Sequence, residues 1–264
     1  MIAIVVLTHE RVHLLRQCVE NVLGRTSDLT TEIVIWNNGS TDGTRAFLDG
    51  LADPRIRLVH HPENIGQNAY AEACRLTSAP YIVELDDDMI DAPPAWDRAL
   101  LEAYERLPRI GFLAANLVDN PHDQAARIMH HERAHEYTTV EENGVTLLRG
   151  PVGGGCAITA RELLDKVGGF RQNHGHVFWL EDAAYIEDIG KLGYEAAYLR
   201  DVKLLHAGGG HYGPEPQAKH AYWRAYWLRE IRKNRVKRAL LRIPFVRPLN
   251  DRHGWFTITE TPEL

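Results

Sequence analysis

Short apolar runs alternate with segments of helical spacing along the first half of the chain. In the segment 11–23, apolar residues recur at Val12, Leu15 and Val19, the three- and four-residue steps of one helix face. Further helices of this kind are predicted at 41–51, 67–77 and 95–107. The apolar runs have the length of buried strands and lie at 2–7, 32–36, 55–60, 81–85 and 110–115. Such alternation predicts an α/β fold with a mostly parallel sheet and helices on both faces.

The pattern loosens beyond the fifth predicted strand. The stretch 121–151 is polar and rich in turn residues, which predicts an excursion or hairpin outside the core. Apolar runs then resume, and one long helix is predicted from His220 to a stop before Pro244. We therefore expect a domain over 1–213 and a basic helical tail over 214–264.

Charge is unevenly distributed along a chain whose composition is that of an ordinary globular protein. The net charge is −6, yet the segment 224–247 holds nine Lys/Arg and a single acidic residue, Glu230, so the remainder carries −14. An acidic body argues against nucleic-acid binding by the domain. The tail has two interpretations: a helix docked on the domain by its aromatic residues, or a contact of 233–247 with an anionic membrane surface.

Cysteine usage and the N-terminal residues bear on the compartment. Cys18, Cys74 and Cys156 lie far apart and form no CxxC pair, which predicts free thiols in a reducing compartment. The first seven residues are apolar and charged residues soon follow, which is too short a run for a signal peptide or a spanning helix. We expect a cytoplasmic protein, peripheral to the inner membrane face if the tail binds lipid.

A dense acidic run follows the fourth predicted strand. Asp86, Asp87 and Asp88 are consecutive, and three carboxylates at one strand end repel one another and lose solvation when partly buried. In an extended segment Asp86 and Asp88 point to the same side and Asp87 to the other. A hard divalent cation such as Mg²⁺ or Mn²⁺ would bind such a pair through oxygen and cancel the repulsion. The alternative is a solvated acidic turn.

Other polar residues also follow predicted strands. Asn37 comes directly after the second strand, and the carboxyl ends of strands in an open parallel sheet form a common ligand-binding edge. Ser40 or Thr41 is expected to cap the next helix. His206 ends an apolar run and precedes flexible glycines, so its imidazole is a candidate metal ligand, with His211 as the alternative.

Seven sequence blocks occur in a fixed order between residues 2 and 213. They read VVLTHER, VIWNNGSTDGT, HPENIGQNA, LDDDM, GGGCAITARELLDKVGGF, WLEDAAYIEDIGKLGY and LLHAGGGHYG. Together they resemble a family 2 glycosyltransferase of the GT-A fold, which is Rossmann-like, and in particular its rhamnosyltransferase-like members. The resemblance implies metal-dependent, inverting transfer of a sugar to an acceptor hydroxyl, in polysaccharide or glycoconjugate synthesis. The donor would be a UDP-, dTDP- or GDP-sugar, and the acceptor a carbohydrate, a lipid-linked molecule or a small molecule.

The resemblance also assigns roles to residues. For the metal it implies Asp88, with Asp86 at the ribose or the metal's water shell, and His206 closing the site. For catalysis it implies Asp182 as the general base, with Glu181 orienting it or binding the acceptor. For the nucleotide sugar it implies Thr8, His9, Glu10, Asn37, Asn64, Gly66, Asp86, Asp87 and Gly154. Residues 1–119 would then form a nucleotide-binding half and residues 120–213 an acceptor half.

Some positions depart from the family's pattern. Asn37 stands where the family has an Asp that reads the base, although an amide still offers a donor and an acceptor to a base edge. The Arg-Asn that follows the N-x-G segment in the family is missing after Gly66. Ala184 and Asp188 replace an Asp and an Arg that follow the acidic pair in the family.

Three alternatives stay open. The acidic pair at 181–182 has a purely structural interpretation, because a carboxylate at a helix N-terminus can cap the helix. A sugar-phosphate nucleotidyltransferase would share the sheet, but it needs a Gly-rich loop with a basic residue after the first strand, where this chain reads LTHER. A non-catalytic nucleotide-sugar or glycan-binding protein would be expected to have lost the acidic pair, the metal carboxylates or the late histidine.

Overall fold

Residues 1–118, 136–174, 180–207 and 217–253 are described by the computed structural model. They belong to two compact units, Met1–Gly213 and Pro214–Leu264. His211, the alternative metal ligand, lies outside the described residues.

The strands of the first unit form one sheet. They are β1 (Ile2–Thr8), β2 (Thr30–Asn38), β3 (Ile56–His61), β4 (Tyr81–Asp86), β5 (Met89–Asp91), β6 (Ile110–Val118), β7 (Thr138–Glu142), β8 (Val145–Arg149), β9 (Cys156–Ala160) and β10 (Glu195–His206). Within the described chain the strand order is β3-β2-β1-β4-β9-β6-β10-β8-β7, with β5 paired to β10. The first four neighbours run parallel because a helix crossover links each strand to the next in the chain. The predicted α/β fold with a largely parallel sheet is confirmed.

Helices of the first unit cover both faces of this sheet. They are α1 (Val12–Asn21), α2 (Thr44–Asp49), α3 (Asn68–Cys74), α4 (Trp96–Glu105), α5 (Arg161–Lys166) and α6 (Glu181–Lys191). Successive residues of β1 point to opposite faces, as a strand requires. Ile4 packs in the cluster that includes α1 and α4, whereas Val5 packs in the cluster that includes α3 and α6. The sheet is therefore buried on both sides, which explains why its central strands are continuous apolar runs.

Two parts of the sheet depart from the simple alternation. Strand β9 runs antiparallel between β4 and β6. Strands β7 and β8 form a hairpin whose turn, Asn143–Gly144, has left-handed backbone at both residues, as a tight two-residue hairpin turn requires. The hairpin was predicted, but its placement outside the core is wrong: β8 pairs with β10, and Leu147 is completely buried.

The second unit is helical. Its long helix α7 (Gln217–Leu240) ends before Pro244 as predicted, and a further helix, α8 (Val246–His253), was not predicted. A cavity of about 390 Å³ is lined by Arg238, Leu241, Arg242, Arg247 and Asp251. In the described part of the chain, no helix has the length and apolar character that crossing a membrane demands.

One buried carboxylate joins α4 to the segment that enters β2. Asp97 is completely buried and accepts hydrogen bonds from the Ser27 N–H (2.8 Å), the Ser27 hydroxyl (2.8 Å) and the Thr30 hydroxyl (2.6 Å). These three donors satisfy the carboxylate where water cannot reach it.

We expect Asp97→Ala to lower the free energy of unfolding by about 3 kcal/mol, because three donors lose their acceptor in a dry environment. Urea denaturation measures the change. The matched control is Asp28→Ala, which removes an exposed carboxylate paired with Arg98 and should cost less than about 1 kcal/mol. Equal losses in the two variants would contradict the structural role of Asp97.

Candidate active site

The candidate site lies at the carboxyl ends of β1, β2 and β4. These strands are parallel neighbours, and their register places Leu7 beside Asp86 and Thr8 beside Asn37. Polar residues that are far apart in the sequence therefore meet at one edge of the sheet, as expected for an open α/β sheet.

The acidic run forms a turn and not an extended segment. Asp86 is the last residue of β4, and Asp87 and Asp88 make the turn into β5. Two backbone hydrogen bonds hold the turn: the Asp86 N–H donates to the Gly155 carbonyl (2.8 Å), and the Ala207 N–H donates to the Asp88 carbonyl (2.8 Å). The prediction that strand periodicity orients Asp86 and Asp88 is wrong, because Asp87 and Asp88 are not in a strand. Asp86 and Asp88 nevertheless approach one another.

Asp86, Asp88 and His206 form a group that fits one divalent cation. A carboxylate oxygen of each aspartate and a ring nitrogen of His206 lie within 4.8 Å of one another. The pairing of β5 with β10 places His206 opposite Met89. The Nε2 atom of His206 consequently lies 3.2 Å from Asp88 Oδ1. Two carboxylates and one imidazole suit Mn²⁺ or Mg²⁺ with further oxygen ligands.

Burial and mutual repulsion make the aspartates of this turn costly to ionise. Burial raises the pKa of Asp86, and the neighbouring Asp88 raises it further. Burial also raises the pKa of Asp87 to about 7, although the Arg11 guanidinium opposes the shift. A bound cation acts in the opposite direction, since it favours the ionised carboxylate. The electrostatics therefore agree with the donor set.

Two side chains that the sequence did not predict hold these aspartates. The Tyr70 hydroxyl, on α3, donates to Asp86 Oδ1 (3.0 Å). Arg11 Nη1 lies 2.6 Å from Asp88 Oδ2 and 3.4 Å from Asp87 Oδ1. Arg11 belongs to the same segment between β1 and α1 as His9 and Glu10. Its charge shortly after a strand end is the signal from which sequence analysis could have found it.

The segment that follows β1 is tied to the segment that follows β2. His9 Nδ1 donates to the Asn38 carbonyl (2.9 Å), and the Glu10 N–H donates to the Ser40 hydroxyl (3.1 Å). Glu10 has left-handed backbone with φ 55°, an uncommon conformation that is often found at functional sites. Its carboxylate accepts hydrogen bonds from the Thr41 N–H (2.5 Å) and hydroxyl (2.9 Å).

The predicted cap of α2 is replaced by another residue. Ser40 and Thr41 bond to Glu10, as described, while Asp42 accepts the Thr44 N–H (3.0 Å) and the Val12 N–H (3.0 Å). Asp42 therefore organises the first turns of both α2 and α1, and the prediction of Ser40 or Thr41 as the cap is wrong.

Asn37 is buried, and each end of its amide has a partner in the protein. Its Oδ1 accepts the Ser40 N–H (3.1 Å), and its Nδ2 lies 3.2 Å from His60 Nδ1. The Asp49 carboxylate, 3.0 Å from His60 Nε2, favours the tautomer in which Nε2 carries the proton and Nδ1 accepts from Asn37. This chain of three side chains orients the amide that occupies the base-reading position of the family's pattern.

Asn64 and Gly66 lie in a loop fastened to Asn38. Asn64 Oδ1 accepts the Asn38 side-chain amide (3.0 Å) and the Gly66 N–H (2.8 Å). Gly66 has φ 59°, and its carbonyl accepts the same Asn38 amide (3.1 Å). The side chain of Asn64 therefore stabilises the conformation of this loop.

A second group of acidic residues faces the aspartates across the glycine segment 153–155. Asp182, the second residue of α6, accepts the Gly154 N–H at Oδ2 (2.6 Å) and the Ala183 N–H at Oδ1 (2.7 Å). Glu84 lies in the middle of β4 and is buried, and a Cβ on Gly154 would collide with its carboxylate. Glu84 was not predicted, although a glutamate inside the apolar run YIVEL was the available signal.

The two members of the acidic pair differ in environment. Glu181 is buried, and burial raises its pKa well above the usual range, with Asp182 and Glu84 raising it further. Asp182 is only partly buried. Burial, then Asp182 and Asp86, likewise raise the pKa of Glu84. The geometry therefore brings together two buried carboxyl groups with raised pKa values and one partly exposed carboxyl group.

Comparison with known proteins places these features in a family. The model of glycosyl transferase family 2 matches residues 3–168. The uncharacterized protein y4gI of Sinorhizobium fredii (strain NBRC 101917 / NGR234) is 25% identical over 243 residues, which cover 83% of this chain and 26% of that protein. The chain thus spans about a quarter of the length of that curated relative.

Solved structures of glycosyltransferases have a similar fold. Mannosyltransferase PcManGT from Pyrobaculum calidifontis, in complex with GDP-Man and Mn²⁺, has a TM-score of 0.56 at 20% identity, over 88% of this chain and 60% of that chain. Glucosyl-3-phosphoglycerate synthase from Mycobacterium tuberculosis, with Mn²⁺, UDP and glucosyl-3-phosphoglycerate, has a TM-score of 0.52 at 19% identity, over 84% and 75%. GalNAc-T7 with UDP, GalNAc and Mn²⁺ has a TM-score of 0.60 at 15% identity, over 81% and 45%. The family match covers more than half of the chain, so the chain belongs to glycosyltransferase family 2 and has the GT-A fold.

Proposed function

We propose that this chain is a metal-dependent, inverting glycosyltransferase of the hexosyltransferase class. It moves a sugar from a nucleoside diphosphate sugar to an acceptor hydroxyl, in polysaccharide or glycoconjugate synthesis. The observation that carries the proposal is the group of Asp86, Asp88 and His206, whose ligand atoms lie within 4.8 Å of one another at the carboxyl edge of the sheet. The narrower resemblance to rhamnosyltransferases stays a prediction.

The donor half of the reaction is assigned to the edge formed by β1, β2 and β4. When bound there, Mn²⁺ or Mg²⁺ supplies the positive charge that stabilises the diphosphate as it leaves. The protein holds the ligands ready: the Tyr70 hydroxyl fixes Asp86, and the pairing of β5 with β10 fixes His206. We assign the nucleoside to the neighbouring residues Thr8, His9, Glu10, Asn37, Asn64 and Gly66.

The acceptor half is assigned to the carboxylates of α6. We infer that Asp182 removes the acceptor's proton as the hydroxyl oxygen attacks the anomeric carbon opposite the leaving diphosphate. Asp182 suits this role because it is accessible and because two N–H groups fix its orientation. Glu181 is the poorer candidate, because it is buried and therefore less accessible to an acceptor. The bond from Gly154, which lies outside α6, argues against a simple helix cap.

The two other function classes fit less well. A nucleotidyltransferase needs a glycine-rich loop after its first strand, whereas the loop here is Thr8–Arg11 with a strained Glu10. A non-catalytic binding protein has no need for both a group of metal ligands and an ordered, accessible carboxylate opposite it. The coexistence of these two groups favours the enzyme.

The partners follow from the same assignment. GDP-Man and UDP are present in the structures of the similar glycosyltransferases, and a UDP-, dTDP- or GDP-sugar is the donor that we propose. The acceptor would be a carbohydrate, a lipid-linked molecule or a small molecule. Contact of the basic tail with an anionic membrane stays a prediction from the sequence.

We expect Mn²⁺ together with the correct UDP-, dTDP- or GDP-sugar to raise the melting temperature and to support slow hydrolysis of the donor, because a ligand that binds only the folded state stabilises it.

Asp88→Asn should weaken Mn²⁺ binding by at least about 100-fold, since even the loss of a group that merely orients a metal ligand costs about 10–100-fold. Calorimetric titration of Mn²⁺ measures this affinity.

Asp91→Asn is the matched control, because Asp91 is an exposed carboxylate in the adjacent β5 that pairs with Arg25. Its affinity for Mn²⁺ should equal that of the wild type. Unchanged Mn²⁺ affinity in Asp88→Asn would refute the proposed metal site.

The second prediction concerns the general base. Asp182→Asn keeps the shape of the side chain but cannot accept the proton, so turnover should fall by about 10²–10⁴-fold while nucleotide affinity stays near normal. Steady-state transfer kinetics and nucleotide titration separate the two effects. Normal turnover in Asp182→Asn together with a collapse in Glu181→Gln would move the role of base to Glu181.

The third prediction concerns the glycine segment. In Gly154→Ala the added methyl group collides with the Glu84 carboxylate and displaces the N–H that orients Asp182. Because misplacement of a catalytic group by 1 Å can cost about 10²-fold, turnover should fall by at least about 10-fold. In the control Gly190→Ala, on α6, the added methyl group would meet no heavy atom within 4 Å, so this variant should be nearly as active as the wild type. Equal activities in the two variants would argue against the role of Gly154.

A further inference from the structure

The guanidinium of Arg11 pairs with one oxygen of Asp88, a carboxylate of the candidate metal group. Its Nη1 is 2.6 Å from Asp88 Oδ2 and 3.4 Å from Asp87 Oδ1. The other oxygen of Asp88 lies 3.2 Å from His206 Nε2. Both oxygens of this ligand carboxylate are therefore engaged by groups of the protein.

The backbone of Arg11 is fixed while its side chain reaches the surface. The preceding residue, Glu10, is anchored by Thr41, and the Arg11 carbonyl accepts the N–H groups of Leu14 and Leu15 (both 3.0 Å) at the start of α1. The side chain of Arg11 is 32% exposed, in contrast to 10% for Asp88. The guanidinium is therefore closer to solvent than the carboxylate with which it pairs.

We propose that Arg11 is a counter-charge which a divalent ion displaces from Asp88, and that the displaced guanidinium then binds the diphosphate of the donor. The proposal rests on the proposed function, since it concerns the same metal and nucleotide. It makes Arg11 a positioning residue that couples the binding of the two ligands.

The coupling follows from charge and geometry. A divalent ion and a guanidinium repel one another when both lie against one carboxylate, so binding of the ion weakens the Arg11–Asp88 pair. A diphosphate offers the displaced guanidinium new oxygen partners in the planar geometry that arginine prefers. Each ligand therefore raises the affinity for the other, and by linkage the two factors are equal.

Calorimetric titration of Mn²⁺ alone tests the first half of the proposal. Arg11→Met removes the competing charge, so Mn²⁺ should bind about 10- to 100-fold tighter than to the wild type, the usual range of such couplings. Arg11→Lys keeps the charge and should stay within about 3-fold of the wild type, a small part of that range. The control is Arg16→Met, which removes the same charge from an exposed residue of α1 that lies over the Phe47 ring. It should leave the Mn²⁺ affinity unchanged.

Titration of Mn²⁺ in the separate presence of UDP, dTDP and GDP tests the second half. In the wild type the nucleotide that binds should tighten Mn²⁺ by at least about 10-fold, and in Arg11→Met this factor should fall below about 3-fold. An Mn²⁺ affinity in folded Arg11→Met that is equal to or below that of the wild type would overturn the proposal. Should Arg11→Met not fold, a wild-type Mn²⁺ affinity that none of the three nucleotides changes would overturn it as well. A wild type that binds no Mn²⁺ would refute the metal site and the proposed function together.

Discussion

The burial of mutually repelling carboxyl groups at one edge of the sheet is the constraint on which the candidate site depends. The groups that meet there are Glu84, Asp86, Asp87, Asp88, Glu181 and Asp182. Removal of so many acidic groups from water opposes their ionisation, and the pKa values of the most buried ones rise accordingly. A fold without a purpose for these groups would be more stable with apolar residues in their place. Their concentration therefore favours a functional role for this edge of the sheet, where Asp86, Asp88 and His206 form a group that fits a cation.

The sheet supplies the rigidity that holds these groups together. Asp86 ends a strand that is hydrogen-bonded on both sides, to β1 and to β9. Because β9 runs antiparallel to β4, its first residue lies beside Leu85, and the glycines that precede it return to the carboxyl edge. This reversal places the Gly155 carbonyl on the Asp86 N–H and the Gly154 N–H on Asp182. One antiparallel strand thus links the proposed donor and acceptor sides.

Charge compensation at this edge uses several kinds of partner. A guanidinium faces Asp87 and Asp88, a tyrosine hydroxyl faces Asp86, and a backbone N–H faces Asp182. The pKa values of the buried Glu84 and Glu181 are instead raised, chiefly by burial. The charged and polar partners lie at the aspartates near the open edge, whereas the two glutamates lie in the interior, where ionisation is most costly.

The sequence by itself determined the elements and the chemical character of the site. The alternation of apolar runs with helical spacing is a local property, and it sufficed for the parallel core and for the long helix of the tail. The acidic run after β4 likewise predicted a cation site, because a high charge density at a strand end is visible in the sequence. Asp86 and Asp88 do form a group with His206 that fits a cation. The seven ordered blocks identified the family, which the comparison with known proteins confirmed.

The tertiary structure decided which residues meet. Arg11 and Tyr70 became partners of the aspartates through the adjacency of β1, α3 and β4, which no local spacing encodes. His206 reached Asp88 through the pairing of β5 with β10, and Asp42 replaced the predicted caps because a second helix start lies beside it. The hairpin β7–β8 joined the core because β10 left an edge for it. Distant segments can pair with many strand edges and faces of similar hydrophobicity, so local sequence patterns do not specify the partner. The partner is determined only when the whole fold packs.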